Sequence, residues 1–507
     1  MGKIIETTIN KFNGGMVFDP RDPREDTCRV VSNFDILTSP NKLIPYRDSE
    51  NAYTDGGSAA LKPQNFAVAI RTGTTYKLFW LGVQTGAADA QIIFTDLDGS
   101  DLTTPTNNEQ GTGTTTDFNL FIYYKKTGRI YGARDSTHIW AFDPSSAAVF
   151  NDTERAIAYT NMRQGMVHSK DDILYIPYDN KIAKNDNGVW VDEALVLPNF
   201  WQINSICEYG NYIAIGCASA SGVGGSRIFL WDRNSSLVTV SESIDWGTGN
   251  LRVLDEIDGF LVGVSVHAGT EEKFTNRDLV TFKYYSPAGM VKFAEFLGNI
   301  GAVGNSFPLA KQKINDRLYF MLSIQLGIQN EGVESAYRAG VWSVGKVGDQ
   351  FVVIHERTPI NDTAITGGGL RSFIKVGDFL FIAFVNAGGS NAIYRTNDTK
   401  SFTATAIYES KFFAGDASKK KDLVGFSIMT EYLTGSGQVV CKYRIDNETS
   451  FTTFLTHSTA NAISASVSSG ATLPKAYKEI QFRLESTNSA EITGFSFKES
   501  ILESRPY

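Results

Sequence analysis

Five histidines, His138, His168, His267, His355 and His457, are the only imidazoles in 507 residues. No two stand at HxH or HxxxH spacing, which would let one local element offer two nitrogens to a metal. His355-Glu356 runs into Arg357-Thr358-Pro359, so it does not complete HExxH. Two acidic turns suit a hard cation better. Asp96-Leu-Asp98-Gly99-Ser-Asp101 gathers three carboxylates around a glycine, the oxygen-rich arrangement that calcium uses. Asn185-Asp186-Asn187-Gly188, with Asp192 and Glu193 beyond it, is looser. Neither has the spacing of an EF-hand loop with its closing bidentate Glu, and ordinary hairpin turns use the same residues.

Nucleophilic and phosphate chemistry has no anchor, because no Walker A loop, G-x-S-x-G elbow or strand–GxGxxG–helix unit occurs. The segment Thr396-Asn-Asp398-Thr-Lys-Ser-Phe402 partly resembles the Asp-box of sialidase-type propellers, with Lys400 in place of the glycine and Phe402 one place early. That box marks a turn rather than a catalytic group. Glycoside hydrolysis would need two carboxylates at a defined separation, or a Tyr with an acidic partner and an arginine cluster. Such residues are plentiful, so a propeller glycosidase or carbohydrate-binding protein is the alternative reading. WD-repeat and kelch signatures are confined to Trp231-Asp232 and Gly367-Gly-Gly369. No catalytic, cofactor-binding or metal-ligating residue is assigned, no cofactor is expected, and the first expectation is a protein that is not an enzyme.

The elements that carry these residues follow from composition and pattern. Aromatics make up 12% of the chain, Phe and Tyr number 33 and 21, and Gly 46. That mixture favours strands joined by tight turns, and no long run with helical period interrupts it. An all-β fold in two or three domains is therefore expected. The net charge of −8 argues against a sequence-specific nucleic-acid binder. The one dense basic spot, Lys419-Lys420-Lys421, reads as a solvated loop between domains. Four cysteines do not make a disulfide framework; Cys207 and Cys217 either face each other across a hairpin or stand as two buried thiols. The opening residues have no apolar signal region and no segment approaches ~18 uninterrupted apolar residues, so neither export nor a membrane span is expected.

A two-part pattern recurs between about 60 and 415. A polar turn precedes an apolar strand at Gly73, Asp171, Gly210, Asp258, Asp316 and Gly377, spaced 98, 39, 48, 58 and 61 residues apart. A second strand ends in an aromatic or apolar pair before another turn, as in His138-Ile-Trp-Ala-Phe-Asp-Pro and Arg227-Ile-Phe-Leu-Trp-Asp. The first gap has room for two units, one without a recognisable turn, and the region near 118–146 is irregular. The remaining gaps lie near the roughly 40 to 50 residues of a four-stranded propeller blade. Leu318-Tyr-Phe-Met-Leu322 and Phe379-Leu-Phe-Ile-Ala-Phe384 are apolar on both faces, which is what stacked blades demand. The expectation is a β-propeller of about seven blades over 59–418, with six or eight still open.

The ends differ from the repeat. Residues 1–58, punctuated by Asn13-Gly14-Gly15 and by the charged run from Asp19 to Asp26, form an extended N-terminal arm. It either closes the propeller ring or docks on a neighbour. Residues 419–507 alternate strictly, as in Val439, Cys441, Tyr443 and Ile445 or Ile480, Phe482 and Leu484, and read as a C-terminal β-sandwich. The opening Phe12-Asn-Gly-Gly-Met16, Asp19-Pro20-Arg21, Asn33-Phe34-Asp35-Ile36 and Leu43-Ile44-Pro45-Tyr46 resembles the start of a group of tailed-bacteriophage virion proteins, and Lys478 to Ser486 with Ala490-Glu-Ile-Thr493 resembles their end. The resemblance covers both ends, and the middle only as architecture. It implies a structural component of the virion tail, similar to propeller-bearing hub, nozzle or tail-tip subunits, assembled in the host cytoplasm. Implied partners are other virion proteins (portal-adaptor, tail or fibre subunits), further copies in a homo-oligomeric ring, and a host-surface glycan.

Overall fold

A computed structural model describes residues 3–502 apart from 13, 15, 17–26, 37–38, 40, 47–48, 55–60, 74, 85–88, 99–100, 103–105, 115–118, 135, 146–149, 221–224, 235–242, 268–277, 299–309, 327–335, 358–369, 378, 386–390, 397–404, 415–417, 447 and 469–472. The protein is all-β: strands make up its regular structure, and no helix occurs among the described residues. None is therefore long and apolar enough to cross a membrane. The turn chemistry is the expected kind. Positive φ angles fall at Gly73, Gly128, Asp172, Gly210, Asp258, Asp316 and Gly377, where glycine or a short polar side chain tolerates them.

The strands between 61 and 396 form seven successive antiparallel meanders, here called units 1 to 7. Unit 1 holds Leu61–Thr72, Thr75–Gln84, Asp89–Asp98 and Thr106–Thr114, with Asp101–Leu102 beside its third strand. Unit 2 holds Phe121–Tyr124, Arg129–Arg134, His138–Phe142 and Phe150–Ala156. Unit 3 holds Met166–Val167, Leu174–Tyr178, Lys181–Asp186 and Val189–Val196. Unit 4 holds Trp201–Tyr209, Tyr212–Ser219, Gly225–Trp231 and Ser243–Thr248. Unit 5 holds Asn250–Ile257, Phe260–His267, Asp278–Ser286 and Gly289–Gly298. Unit 6 holds Lys311–Ile314, Arg317–Leu326, Ala336–Val347 and Gln350–Arg357. Unit 7 has three strands of its own, Leu370–Val376, Phe379–Val385 and Asn391–Thr396, and Ser49–Thr54 pairs antiparallel with the last of them. The unit without a recognisable turn is unit 2, whose first hairpin closes over 125–128.

Second strands are buried on both faces because each face meets a different neighbour. In unit 6, Leu318, Phe320 and Leu322 join an apolar cluster with Val262 and Phe282 of unit 5. Tyr319 and Met321, on the opposite face, join Phe373 and Ile382 of unit 7. Phe381 and Ala383 of unit 7 pack in turn with Leu78 and Trp80 of unit 1. Burying one such side chain is worth about 1.5–3 kcal/mol, so these shared clusters are what a lone meander lacks. First strands approach one another as well: Leu370–Val376 lies along Leu61–Thr72, and Trp201–Tyr209 along Asn250–Ile257.

The two ends of the chain are woven together. Ile4–Ile9 pairs antiparallel with Ile492–Ile501, which pairs with Lys421–Thr430 and, through it, Ser464–Ser468. Cys28–Ser32 pairs with Ala406–Ser410, and touches Gln350–Arg357 of unit 6 through one parallel bridge, Ser32 to His355. Ala406–Ser410 continues into Ile480–Thr487, Gln438–Ile445 and Thr452–His457. Phe426 of the first of these sheets lies 5.1 Å from Phe482 of the second and 4.8 Å from Phe454. Lys421 departs from the solvated loop expected of the three lysines: it is 2% exposed and sits 3.4 Å from Glu499. Lys419 and Lys420 are exposed.

Candidate functional site

The seven first hairpins turn at one end of their units, and a single register position there does repeated work. Glu208, Glu256, Lys313 and Lys375 each stand two residues before the turn residues Gly210, Asp258, Asn315 and Gly377. Glu208 accepts from Ser169 Oγ of unit 3 at 2.6 Å, and Lys313 Nζ reaches Glu256 across the unit 5–6 boundary at 2.6 Å. Further staples join Lys126 to Asp186 at 2.7 Å, Arg233 to Asp171 at 2.6 Å and Lys346 to Asp258 at 2.7 Å. Lys311 of unit 6 reaches furthest. Its ammonium donates to Ile206 O of unit 4 at 2.9 Å and to Leu254 O, and pairs with Asp255 of unit 5 at 3.1 Å.

Between units 5, 6 and 7 this end opens into a cleft of about 530 Å³. Arg317, Tyr319, Lys346 and Lys375 line it, with Asp258 and Asp316. The Tyr319 hydroxyl accepts from Arg317 Nη1 at 3.1 Å and from Lys375 Nζ at 3.4 Å, and the Lys375 ammonium lies 5.1 Å from the Tyr319 ring centre. Behind it, Arg317 pairs with the buried Glu356 at 3.2 Å and with Asp35 at 3.7 Å. Glu356 also accepts from the hydroxyls of Tyr46 and Ser343. Burial works hardest against the Arg317 charge, but the Glu356 carboxylate together with Tyr46 and Tyr319 outweighs it and holds the guanidinium above its ordinary range. Burial, with Glu356 beside it, likewise pushes the Tyr46 phenol well up. A second cleft, about 720 Å³, lies between units 1 and 2 beside Arg71, Lys77, Tyr123 and Asp143.

Chemically, these groups staple. Of the two carboxylates that line the first cleft, Asp258 is held by Lys346 and Asp316 lies 3.9 Å from Lys313; behind the cleft, Glu356 is enclosed by three donors. Asp258 and Glu356 are not free acid–base partners for each other. The histidines do not converge. His355 is buried against Trp342, 4.7 Å between ring centres, with Nδ1 3.0 Å from Ser32 Oγ. His168 is buried beside Asp171 at 3.2 Å and Arg233 at 3.0 Å. His457 lies 3.2 Å from Thr430 Oγ1, and His138 beside Thr137. His267 is exposed.

The looser acidic turn is a hairpin. Asn185 Oδ1 accepts from Gly188 N at 2.7 Å, Asn187 has φ 51, Asp186 pairs with Lys126, Asp192 with Arg155 at 2.6 Å and Glu193 with Lys181. Asp96 and Asp98 end a strand and Asp101 begins the next, with side chains outside the described residues, as are Gly99, 397–404 with the Asp-box-like stretch, and 367–369. Among the described residues no three His, Cys, Asp or Glu side chains gather at metal-binding distance. Cys207 and Cys217 are free and buried; Cys207 is opposite Ala214 and Cys217 opposite Ile203, so they do not face each other.

No family model matches the chain, and no curated protein matches it. Among solved structures, it is similar to the AfRom2 CNH domain at 9% identity and a TM-score of 0.37, covering 69% of this chain and 99% of that one. It is similar also to an exo-β-1,3-galactanase from Phanerochaete chrysosporium, with galactotriose at 8% identity and TM-score 0.29, over 88% of this chain and 100% of that one. The same galactanase with galactose gives 11% identity and 0.27 over 90% and 100%. At such scores these likenesses carry no argument about activity.

Proposed function

We propose that this chain is a non-catalytic structural subunit of a tailed-phage particle, built as a seven-bladed propeller with a C-terminal β-sandwich and working through protein–protein contact. The seven meanders are then the blades. Ser49–Thr54, completing the sheet of unit 7 from the other end of the sequence, is the strand that closes the ring. The contact of Leu370–Val376 with Leu61–Thr72 supports closure between the last blade and the first.

The observation that carries the reading is where the residues behind the phage resemblance sit. Leu43 and Ile492, from the two ends of the chain, exchange backbone hydrogen bonds of 2.8 and 3.1 Å. Phe12 and Phe34 are fully buried, and Phe12 meets Tyr408 edge-on at 5.3 Å. The described parts of these motifs (Asp19-Pro20-Arg21 lies outside the described residues) therefore build one joint between the N-terminal segment, unit 6 and the C-terminal sheets, and residues spent on a joint suit a load-carrying part. Unit-to-unit staples serve a rigid disc in the same way. A ring of copies is the expected assembly, since heterologous contacts close into rings, and the partners are neighbouring tail, adaptor or fibre subunits, with loops free to meet a host-surface glycan.

The test is sedimentation of the purified chain alone and of particles probed for it. A ring, and comigration with particles, is expected. A strict monomer missing from particles, or release of sugar from host envelope glycans that single carboxylate changes abolish, would overturn the proposal.

A further inference from the structure

Three first strands carry the same irregularity. In unit 4, Ile203 is opposite Cys217 and Ser205 opposite Gly216, which leaves Asn204 as an extra, unpaired residue. In unit 5, Leu251 is opposite Ser265 and Val253 opposite Val264, leaving Arg252. In unit 7, Leu370 is opposite Phe384 and Ser372 opposite Ala383, leaving Arg371. Each bulged residue stands six positions before a turn residue of positive φ, namely Gly210, Asp258 and Gly377. At about 3.3 Å per residue the three lie roughly 20 Å from the turns, at the opposite end of their strands. Neighbouring units meet through these first strands, so the bulges occupy the edge where units converge. A bulge there re-aims a side chain that would otherwise enter one apolar face or the other.

Asn204 is used within the fold, where its Nδ2 donates to Leu251 O at 3.0 Å and so ties unit 4 to unit 5. The arginines have no such role. Both are half-buried, both carry a buried Nε with no acceptor, and neither makes a hydrogen bond or ion pair among the described residues. Burial lowers both guanidiniums from their ordinary range, with no opposing carboxylate among the described residues. A half-buried guanidinium whose Nε is buried without an acceptor is costly, and a fold does not place two at equivalent positions for stability.

We propose that Arg252 and Arg371, at equivalent register positions on two first strands, present guanidinium groups that bind an oxyanion, a carboxylate or a phosphate carried by a ligand that enters at the end of the disc opposite the turns. Guanidinium is the group suited to it, since its planar fork matches both anions in bidentate geometry. The proposal is independent of the phage assignment but rests on the propeller reading given above, together with the strand registers and the partners missing among the described residues.

Calorimetric titration of the full chain with glucuronate and, separately, with inorganic phosphate at constant ionic strength tests it. Saturable binding of at least one anion is expected, and preference between them says whether a uronic acid or a phosphate ester is the natural source. Arg252→Gln and Arg371→Gln should each weaken binding roughly tenfold or more, and Arg371→Lys should fall between. Without ligand the variants should melt at the same temperature as the parent or higher, because an uncompensated charge has been removed. Absence of saturable binding to both anions, equal binding by the variants, or a lower ligand-free melting temperature would each overturn the proposal.

Discussion

The joint around Glu356 gives the sharpest energetic test. The Glu356 carboxylate is 5% exposed, receives the Tyr46 and Ser343 hydroxyls and lies 3.2 Å from Arg317. Tyr46 belongs to the N-terminal segment, and Ser343, Arg317 and Glu356 to unit 6, so the cluster fastens one to the other. Arg317→Met would leave the carboxylate buried with only neutral donors. Removing one member of a buried pair costs about 3–5 kcal/mol, and the two remaining hydroxyls place this case near the lower end, about 3 kcal/mol. Glu356→Gln keeps the shape and an acceptor oxygen but strands Arg317, which retains Asp35 at 3.7 Å and the Tyr319 hydroxyl; about 1–3 kcal/mol is expected. The double variant removes both charges together and should cost at least ~1 kcal/mol less than the sum of the singles. Urea unfolding of the four proteins, followed by intrinsic tryptophan fluorescence, closes the cycle; Trp342 packs at a tilt against His355 next to the joint and reports on it. Additivity within about 0.5 kcal/mol would show that the pair is not coupled and would refute the reasoning.

Other outcomes follow from single contacts. Gly132→Ala would set a Cβ 1.9 Å from Cζ2 of the buried Trp140, so unit 2 should lose about 1–3 kcal/mol or more, read as a lowered melting temperature. Phe482→Ala opens a hole among Phe413, Phe426, Phe495 and Phe497 and should cost about 3–5 kcal/mol by urea denaturation. Burial pushes the Cys207, Cys217 and Cys441 thiols up, so native protein should give almost no reaction with a thiol reagent near neutral pH, and full reaction on unfolding. Burial lowers the His457 pKa, so the unfolded chain binds that proton more readily. Stability should therefore be full above the ordinary value of about 6.5, and fall as pH drops through it toward the folded value. His457→Gln should flatten that part of the profile in urea midpoints measured at several pH values.

Much of the architecture was legible because hairpin chemistry is local. Gly73, Gly210, Asp258 and Gly377 mark turns whose positive φ restricts the residue, and apolar runs such as Leu318 to Leu322 announce burial on both faces. Unit 2 was less plain, since the turn over Lys125-Lys126-Thr127-Gly128 joins strands of four and six residues without an Asp-Gly or Asn-Gly pair. The partner of Ser49–Thr54 was beyond local reading, because pairing with Asn391–Thr396 is set by the packing of distant units. Lys421 misled for a related reason: its charge reads as solvated, yet Glu499, on the last strand of the chain, receives it. Of the site, the five histidines and the looser acidic turn could be weighed from spacing. Arg252 and Arg371 could not, although an aliphatic–polar pair six residues before each turn, Leu251-Arg252 and Leu370-Arg371, is a signal that alignment of the units on their turns would expose.

The structural-subunit proposal is met most directly by electron cryomicroscopy of the intact particle. The expected result is density for a seven-bladed disc with an attached two-sheet domain, repeated in a ring at one level of the tail, into which this chain fits with Leu43 against Ile492. Particles that lack such density, while the purified chain remains a monomer in solution, would contradict it.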